Sequence, residues 1–380
     1  MAKTLIIGSG FAGCTAVRTL RKQGYGDDIT VLSPAPELFY YPSLIWVPAG
    51  ERTEADLRID VRSFFARHGV EHVAGTLTGL DAATRTARTE NDEFSYDYLI
   101  VASGGRYLRK LPGIEHAHIA CAGWGPTKAF SDRLAELDGG ALAFGFAGNP
   151  KEPSAMRGGP VFEFMFGTDT LLRRQGRRER FSLTFFSPAE RPGQRMGDKA
   201  VDRLLAQMAR RDIATHLGHK PQRLEADRVV TEGGEVPADL ILFIPGMTGP
   251  DWAAGSGLPL SAGGFIQADA QCRVADTQGV WVAGDAGSFP GPEWRPKQAH
   301  MADLQAETAA KNLMAHIQGK PQDHTFRTEL ICLVDTLDAG SVVYRDPKRS
   351  MMLGAGAPVH WMKQAFEWHY LRPYRRQART

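Results

Sequence analysis

The sequence predicts an α/β protein of two Rossmann-like dinucleotide-binding domains, followed by a C-terminal segment that ends in an amphipathic helix. Three observations carry this expectation. Residues 4–32, TLIIGSGFAGCTAVRTLRKQGYGDDITVL, read strand, glycine turn, helix, strand. The alternation returns later, with a strand at 181–187 (FSLTFFS), an amphipathic helix at 197–211 and a buried apolar strand at 238–244. From residue 321 the pattern changes to short strands, and then to HWMKQAFEWHYLRPYRRQART, rich in rings and arginines.

Bulk properties narrow the function. A chain of 380 residues is too long for one simple core, and 43% hydrophobic with 23% charged residues is ordinary for a soluble globular protein. A net charge of +2 argues against general nucleic-acid binding. Charge is uneven, however, with eight Lys/Arg against two Asp/Glu from residue 345 to 380. Cys14, Cys121, Cys272 and Cys332 lie far apart with no C-x-x-C pair, so no metal site is expected and nothing demands an oxidising compartment. No export-type apolar region precedes TLII, and no run approaches the ~18 apolar residues of a spanning helix. The expectation is a peripheral protein on the cytoplasmic side of a membrane.

The first domain reads as discontinuous, residues 1–110 and 260–320, with the second at 111–259 and the C-terminal segment at 321–380. In GSGFAG, Gly8 permits the tight turn, Gly10 lets a pyrophosphate approach the backbone, and Gly13 lets helix and strand pack closely. Ser33 stands where an acid usually binds the ribose, and its hydroxyl can still make that bond. Strand 97–105 (DYLIVASGG) ends in small residues including Ser103 and Gly104, and strand 279–286 (GVWVAGDA) ends on Gly284 and Asp285. Together these segments resemble the FAD-binding pattern of the two-dinucleotide-binding-domain flavoproteins, and that resemblance implies that Asp285 contacts the FAD ribitol. A second glycine motif should follow ALAFGFAGN at 141–149. Gly145 and Gly148 are present, but Pro150, Lys151 and Pro153 displace the helix that would hold a pyrophosphate. A nicotinamide is therefore not the expected reductant.

Further segments resemble the sulfide:quinone oxidoreductase family, with flavocytochrome c sulfide dehydrogenase flavoproteins as relatives. They are FYYPSLIWVPAG (39–50), GGPVFEF (158–164), LILFIPGMTGP (240–250), ELICLVDTLDAGSVVYRDP (329–347) and HWMKQAFEWHYL (360–371). The resemblance implies that a reduced sulfur compound donates two electrons to FAD through cysteine chemistry, and that a membrane quinone collects them. Cys332 matches the family's C-terminal cysteine and Cys121 falls near its first. The middle cysteine is missing, its place taken by Ala155, Met156 and Arg157. Three alternatives follow: Cys332 pairs with Cys121, or it works with an external thiol, or sulfide oxidation has been lost. Arg157 could instead bind an anionic substrate.

Glu163 begins a helix that the family places near the flavin, where it either relays protons or merely stabilises the helix N-terminus. Lys297, matching a family Pro-Lys, would hold a cation near the flavin and stabilise its reduced anion. Cys14 and Cys272 read as core residues. Competing functions are a type-2 NADH:quinone oxidoreductase, or a flavoprotein subunit handing electrons to a cytochrome; a homo-oligomer is also possible. On a helical wheel Trp361, Met362, Ala365, Phe366 and Trp368 share one arc, Lys363, Gln364 and Glu367 lie opposite, and Leu371 breaks the rule. Pro373 is expected to end this helix, and Arg372, Arg375, Arg376 and Arg379 suit an anionic membrane surface.

Overall fold

The computed structural model describes residues 2–375. The chain opens with β1 (Lys3–Ile7), α1 (Phe11–Lys22), β2 (Asp28–Ser33), β3 (Glu71–Ala74) and β4 (Tyr98–Val101). Its middle adds β5 (Ala117–His118), α2 (Trp124–Glu136), β6 (Gly140–Phe146), α3 (Gly159–Arg174) and β7 (Phe181–Ser187). There follow α4 (Asp198–Arg210), β8 (Ile213–Leu217), β9 (Leu240–Ile244), β10 (Val280–Val282) and α5 (Ala299–Ile317). The chain finishes with β11 (Leu330–Asp335), β12 (Gly340–Arg345), β13 (Ser350–Gly356) and α6 (Ala357–Arg375). Shorter strands and single helical turns fill the connections.

Two parallel five-stranded sheets organise these elements, in the orders β10-β4-β1-β2-β3 and β5-β9-β6-β7-β8. Central strands of a parallel sheet are covered on both faces, which explains the unbroken apolar runs Leu5-Ile6-Ile7 and Leu240 to Ile244, all buried. Each sheet has its own core. The first gathers Ile6, Val31, Leu99, Ile100 and Trp281; the second is dense in rings, including Phe130, Phe144, Phe162, Phe164 and Phe185. Strands β11, β12 and β13 form a separate antiparallel sheet.

Helix α6 differs from its expected form in one respect. It continues through Pro373 to Arg375. A proline removes one N–H, the partner of the carbonyl four residues back; that carbonyl belongs to exposed His369 and can be solvated. Arg376 and Arg379 lie outside the described residues. Leu371 is fully buried, and so is Tyr374, because both lie on the face turned towards the protein. That face also carries His360, Lys363 and Glu367, while Trp361, Met362, Phe366 and Trp368 are 64, 44, 53 and 60% exposed. From His360 to Trp368 the helix is inverted, with His360, Lys363 and Glu367 inward and the two tryptophans and Phe366 outward. Among the described residues no helix is long and apolar enough to cross a membrane.

Candidate active site

The turn from β1 into α1 is shaped by contacts that only glycine permits. Gly8 has φ +108°, and a Cβ there would stand 2.5 Å from the Ala102 carbonyl oxygen. A Cβ on Gly13 would come within 1.9 Å of the Gly8 oxygen, so helix and turn are in backbone contact. Gly10 has open space instead, at the start of a helix with no side-chain cap and no acid in its first turn. Its free N–H groups point to an anionic ligand. Ser33 is buried, donating to the Ala35 carbonyl at 2.7 Å with His72 Nε2 at 3.0 Å. Ser103 is exposed just beyond β4, followed by Gly104 in the left-handed region.

Gly284 and Asp285 follow β10. The Gly284 N–H donates to Gln305 Oε1 at 2.9 Å, and a small cavity lined by Ser154, Asp285, Lys297, Gln298 and Met301 opens at the start of α5. Lys297 lies two residues before that helix. Its Nζ donates to the carbonyls of Asp285 (3.1 Å) and Gly287 (2.9 Å) and sits 4.0 Å from the Phe265 ring centre. Burial without an ion pair pushes its pKa down from 10.5 to about 8. Gln298 Oε1, at the N-cap of α5, is buried without a hydrogen-bond partner.

Between β6 and α3 runs the loop 147–158, which stands where a second glycine turn would lead at once into a helix. Asn149 fastens it, with Nδ2 donating to the Met247 carbonyl at 2.8 Å and Oδ1 accepting from Lys151 N at 2.9 Å. At its end Arg157 forms an ion pair with Asp285, lies 3.4 Å from the Tyr107 hydroxyl, and reaches the Lys297 carbonyl.

All four cysteines are free, so the Cys332–Cys121 pairing is not made. Cys14 and Cys272 are buried, as core residues should be. Cys332, on β11, presents its sulfur to the first turn of α3, 3.8 Å from where a Cβ on Gly159 would stand. Cys121 and Cys332 are both pushed up to about 12, chiefly by burial; Glu163 adds to the rise, while Arg157 opposes it at Cys121 and Lys363 at Cys332. Both thiols are therefore protonated at neutral pH.

Sequence reasoning did not anticipate what surrounds Glu163. This buried carboxylate pairs with Lys363 of α6, accepts the Asp335 N–H at 3.0 Å, and has its pKa raised, chiefly by burial. Asp335 in turn faces His360 Nδ1 at 2.8 Å and accepts from Trp46 Nε1 at 3.3 Å. Further along α6, Glu367 accepts from Ser43 at 2.7 Å and pairs with Arg52, whose guanidinium stacks 4.6 Å from the Trp46 ring. Tyr370 donates to Asp303 on α5 at 3.0 Å. The signal was present as the spacing 360, 363, 367, 371, 374, an i, i+3, i+4 stripe; its partners lie far away in sequence.

The family described as pyridine nucleotide-disulphide oxidoreductase matches residues 2–306. The chain belongs to this family. Among similar proteins, the sulfide-quinone reductase of Aquifex aeolicus is 23% identical over 98% of this chain and 91% of its own length. A type II NADH:quinone oxidoreductase of Staphylococcus saprophyticus is 21% identical over 90% of each. The crystal structure of the sulfide:quinone oxidoreductase from Aquifex aeolicus aligns with a TM-score of 0.87 at 22% identity, covering 99% of this chain and 92% of that one. The chain is therefore an FAD-dependent oxidoreductase, similar over nearly its whole length to the Aquifex sulfide-quinone reductase. Its residues fit the cofactor: the open cradle at Gly10 and the unpartnered Gln298 oxygen both await a polar ligand.

Proposed function

We propose that the protein passes two electrons from a reduced sulfur compound to a membrane quinone. Bound FAD supplies the two-electron acceptor and donor chemistry. Gly8, Gly10 and Gly13 would hold its pyrophosphate, and Ser103, Gly104, Gly284 and Asp285 the centre of the molecule, whereas the expected ribose contact of Ser33 would require its buried hydroxyl to leave Ala35 and His72. Lys297, at the α5 N-terminus, would stabilise negative charge on the reduced cofactor.

The observation that carries the reading is the inverted helix α6. Its rings turn outward as an interfacial helix requires, joined by exposed Ile331 and Leu353 on the neighbouring sheet and by Arg372 over Trp368. Directly beneath lie Glu163 and Lys363. Quinone reduction consumes two protons, and the buried Glu163–Lys363 pair, whose carboxyl has its pKa raised by burial, would pass protons where the quinone would enter from lipid. Cys332 lies on the same side, against α3.

An NADH-oxidising enzyme is the second reading, favoured by the likeness to the staphylococcal protein. The loop 147–158, filled by Asn149 and Arg157, speaks against it because it leaves no helix N-terminus beside β6. Mixing the anaerobic yellow protein with sulfide, and separately with NADH, decides between them. Bleaching by sulfide is expected; bleaching by NADH alone would sink the proposal. Binding to anionic liposomes tests the membrane partner, and a protein that ignores them is not acting at a bilayer through α6.

A further inference from the structure

We propose that Tyr370 and Asp303 are positioning residues that couple the seating of α6 to occupancy of the FAD cradle, so that the FAD-loaded protein presents its interfacial helix more firmly than the empty one. The inference rests on the interfacial reading of α6 above and adds the condition under which that helix is fully seated.

The cradle is built from the N-termini of α1 and α5, and the two helices converge at their first turns. A Cβ on Gly284 would stand 3.5 Å from the Cβ of Ala12 on α1 and 3.3 Å from that of Ala302 on α5. One turn further on, Thr15 and Asp303, each five residues beyond its helix N-cap, join the helices through a 2.6 Å bond from Thr15 Oγ1 to Asp303 Oδ1. Helix α6 closes on the same carboxylate, with the Tyr370 hydroxyl 3.2 Å from Oδ1 and 3.0 Å from Oδ2. Asp303 therefore ties three helices together, and two of them face the cofactor.

A second contact reaches the cradle itself. Phe11 follows Gly10 as the first residue of α1. Its ring centre lies 5.5 Å from that of Tyr370 and 5.9 Å from that of buried Tyr40, and the last two are 5.8 Å apart. On the outer side Phe366, 53% exposed, stacks on Tyr370 at 6.3 Å. Three rings thus lead from the outward face of α6, through Tyr370, to the residue beside the cradle glycine.

A ligand held by the α1 N-terminus and by the Gln298 oxygen of α5 fixes these two helices relative to each other. Tyr370 needs that arrangement, because its hydroxyl must meet Asp303 on α5 while its ring meets Phe11 on α1. The earlier half of α6 does not need it. His360 and Lys363 bond to Asp335 and Glu163, neither of which lies on α1 or α5. Coupling is therefore confined to the half around Tyr370, which also carries Trp368 and the Arg372 that lies over it. It is reciprocal: whatever FAD adds to the seating of α6, a seated α6 adds to the affinity for FAD.

Amide hydrogen exchange on the full-length protein, stripped of FAD and then reloaded without lipid, is the test. FAD should slow exchange about tenfold across residues 366–374, and by less than about twofold across 358–363 and in α4 of the second domain. Tyr370→Phe, which keeps the ring, and Asp303→Ala each remove the hydroxyl–carboxylate bonds and should at least halve the effect. Tyr370→Leu, which removes the ring contact as well, should abolish it and weaken FAD binding about tenfold, read by flavin fluorescence. Should Tyr370→Leu not fold, Tyr370→Phe decides, and an undiminished FAD effect at 366–374 in that variant overturns the coupling. So does slowing that is absent from 366–374 or equal there and in α4, since FAD would then act on the whole protein alike. Vesicles of phosphatidylcholine and phosphatidylglycerol in equal parts read the consequence: the FAD-loaded form should bind them about tenfold more tightly than the stripped form. Equal vesicle binding by both forms overturns the link to the membrane. FAD-dependent protection of 366–374 with no vesicle binding by either form would leave the coupling standing and remove the interfacial reading of α6 instead.

Discussion

Replacing Lys363 by methionine removes the countercharge of Glu163 and keeps most of the side-chain stem. Glu163 is then held by one bond, from the Asp335 N–H. Deleting one partner of a buried pair costs about 3–5 kcal/mol when the other stays ionised. Glu163 can escape that cost by taking up a proton. Burial already lifts its pKa above 4.5, and Lys363 is the main influence opposing the rise, so the variant's value climbs further. A carboxyl with a folded pKa above its unfolded one binds more protons when folded. Its stabilising contribution is complete below about pH 4.5 and is lost as pH rises through the folded value. The full 3–5 kcal/mol should therefore appear at pH 8, about 4–6 °C in melting temperature for a protein of this size. At pH 5 the loss should shrink to about 1–2 kcal/mol, the cost of a missing hydrogen bond. Thermal melts of FAD-loaded wild type and Lys363→Met at both pH values measure this. The double variant Glu163→Gln/Lys363→Met should recover at least half the pH 8 loss. Equal losses at the two pH values, or a larger one at pH 5, would refute the reasoning.

Other perturbations separate cofactor, charge and membrane. Gly13→Ala should abolish FAD uptake and lower stability, since its Cβ would stand 1.9 Å from the Gly8 oxygen; Gly10→Ala should fold normally yet bind FAD at least tenfold more weakly, read by circular dichroism and bound-flavin absorbance. Lys297→Met should lower the two-electron potential of bound FAD by on the order of 30 mV, equivalent to about 1.4 kcal/mol, in a spectroelectrochemical titration at pH 7. The difference from wild type should narrow above pH 8, where Lys297 itself loses its proton. Trp361→Ser/Trp368→Ser should cut liposome partitioning on the order of a hundredfold with little effect on the melting temperature, because both rings are already exposed.

Local pattern was enough to find TLII, ITVL, FSLTFFS and the glycine turn, because apolar runs and a required left-handed glycine leave marks on neighbouring residues. It also identified the ring-bearing arc of α6. What it could not show was which arc faces the protein. The partners of the polar stripe, Glu163, Asp335, Ser43 and Arg52, are 25 to 324 residues distant. Leu371 was the clue that was misread, an apolar residue marking the inner face. The pairing of Arg157 with Asp285, 128 residues apart, was hidden for the same reason. Pro373 misled because a rule about helix interiors was applied close to a helix end, where the lost bond costs little.

Helix α6 also bears on how the protein is made. Three acids in earlier parts of the chain, the buried Glu163 and Asp335 and the half-buried Asp303, find Lys363, His360 and Tyr370 only when this helix emerges from the ribosome. A chain interrupted before Ala357 would therefore be no smaller version of the enzyme. Glu163 would keep only the Asp335 N–H, and Asp335 and Asp303 would each lose one partner while keeping others, Trp46 and Thr15 among them. Docking of α6 is in this sense a late event, scheduled by the order of synthesis.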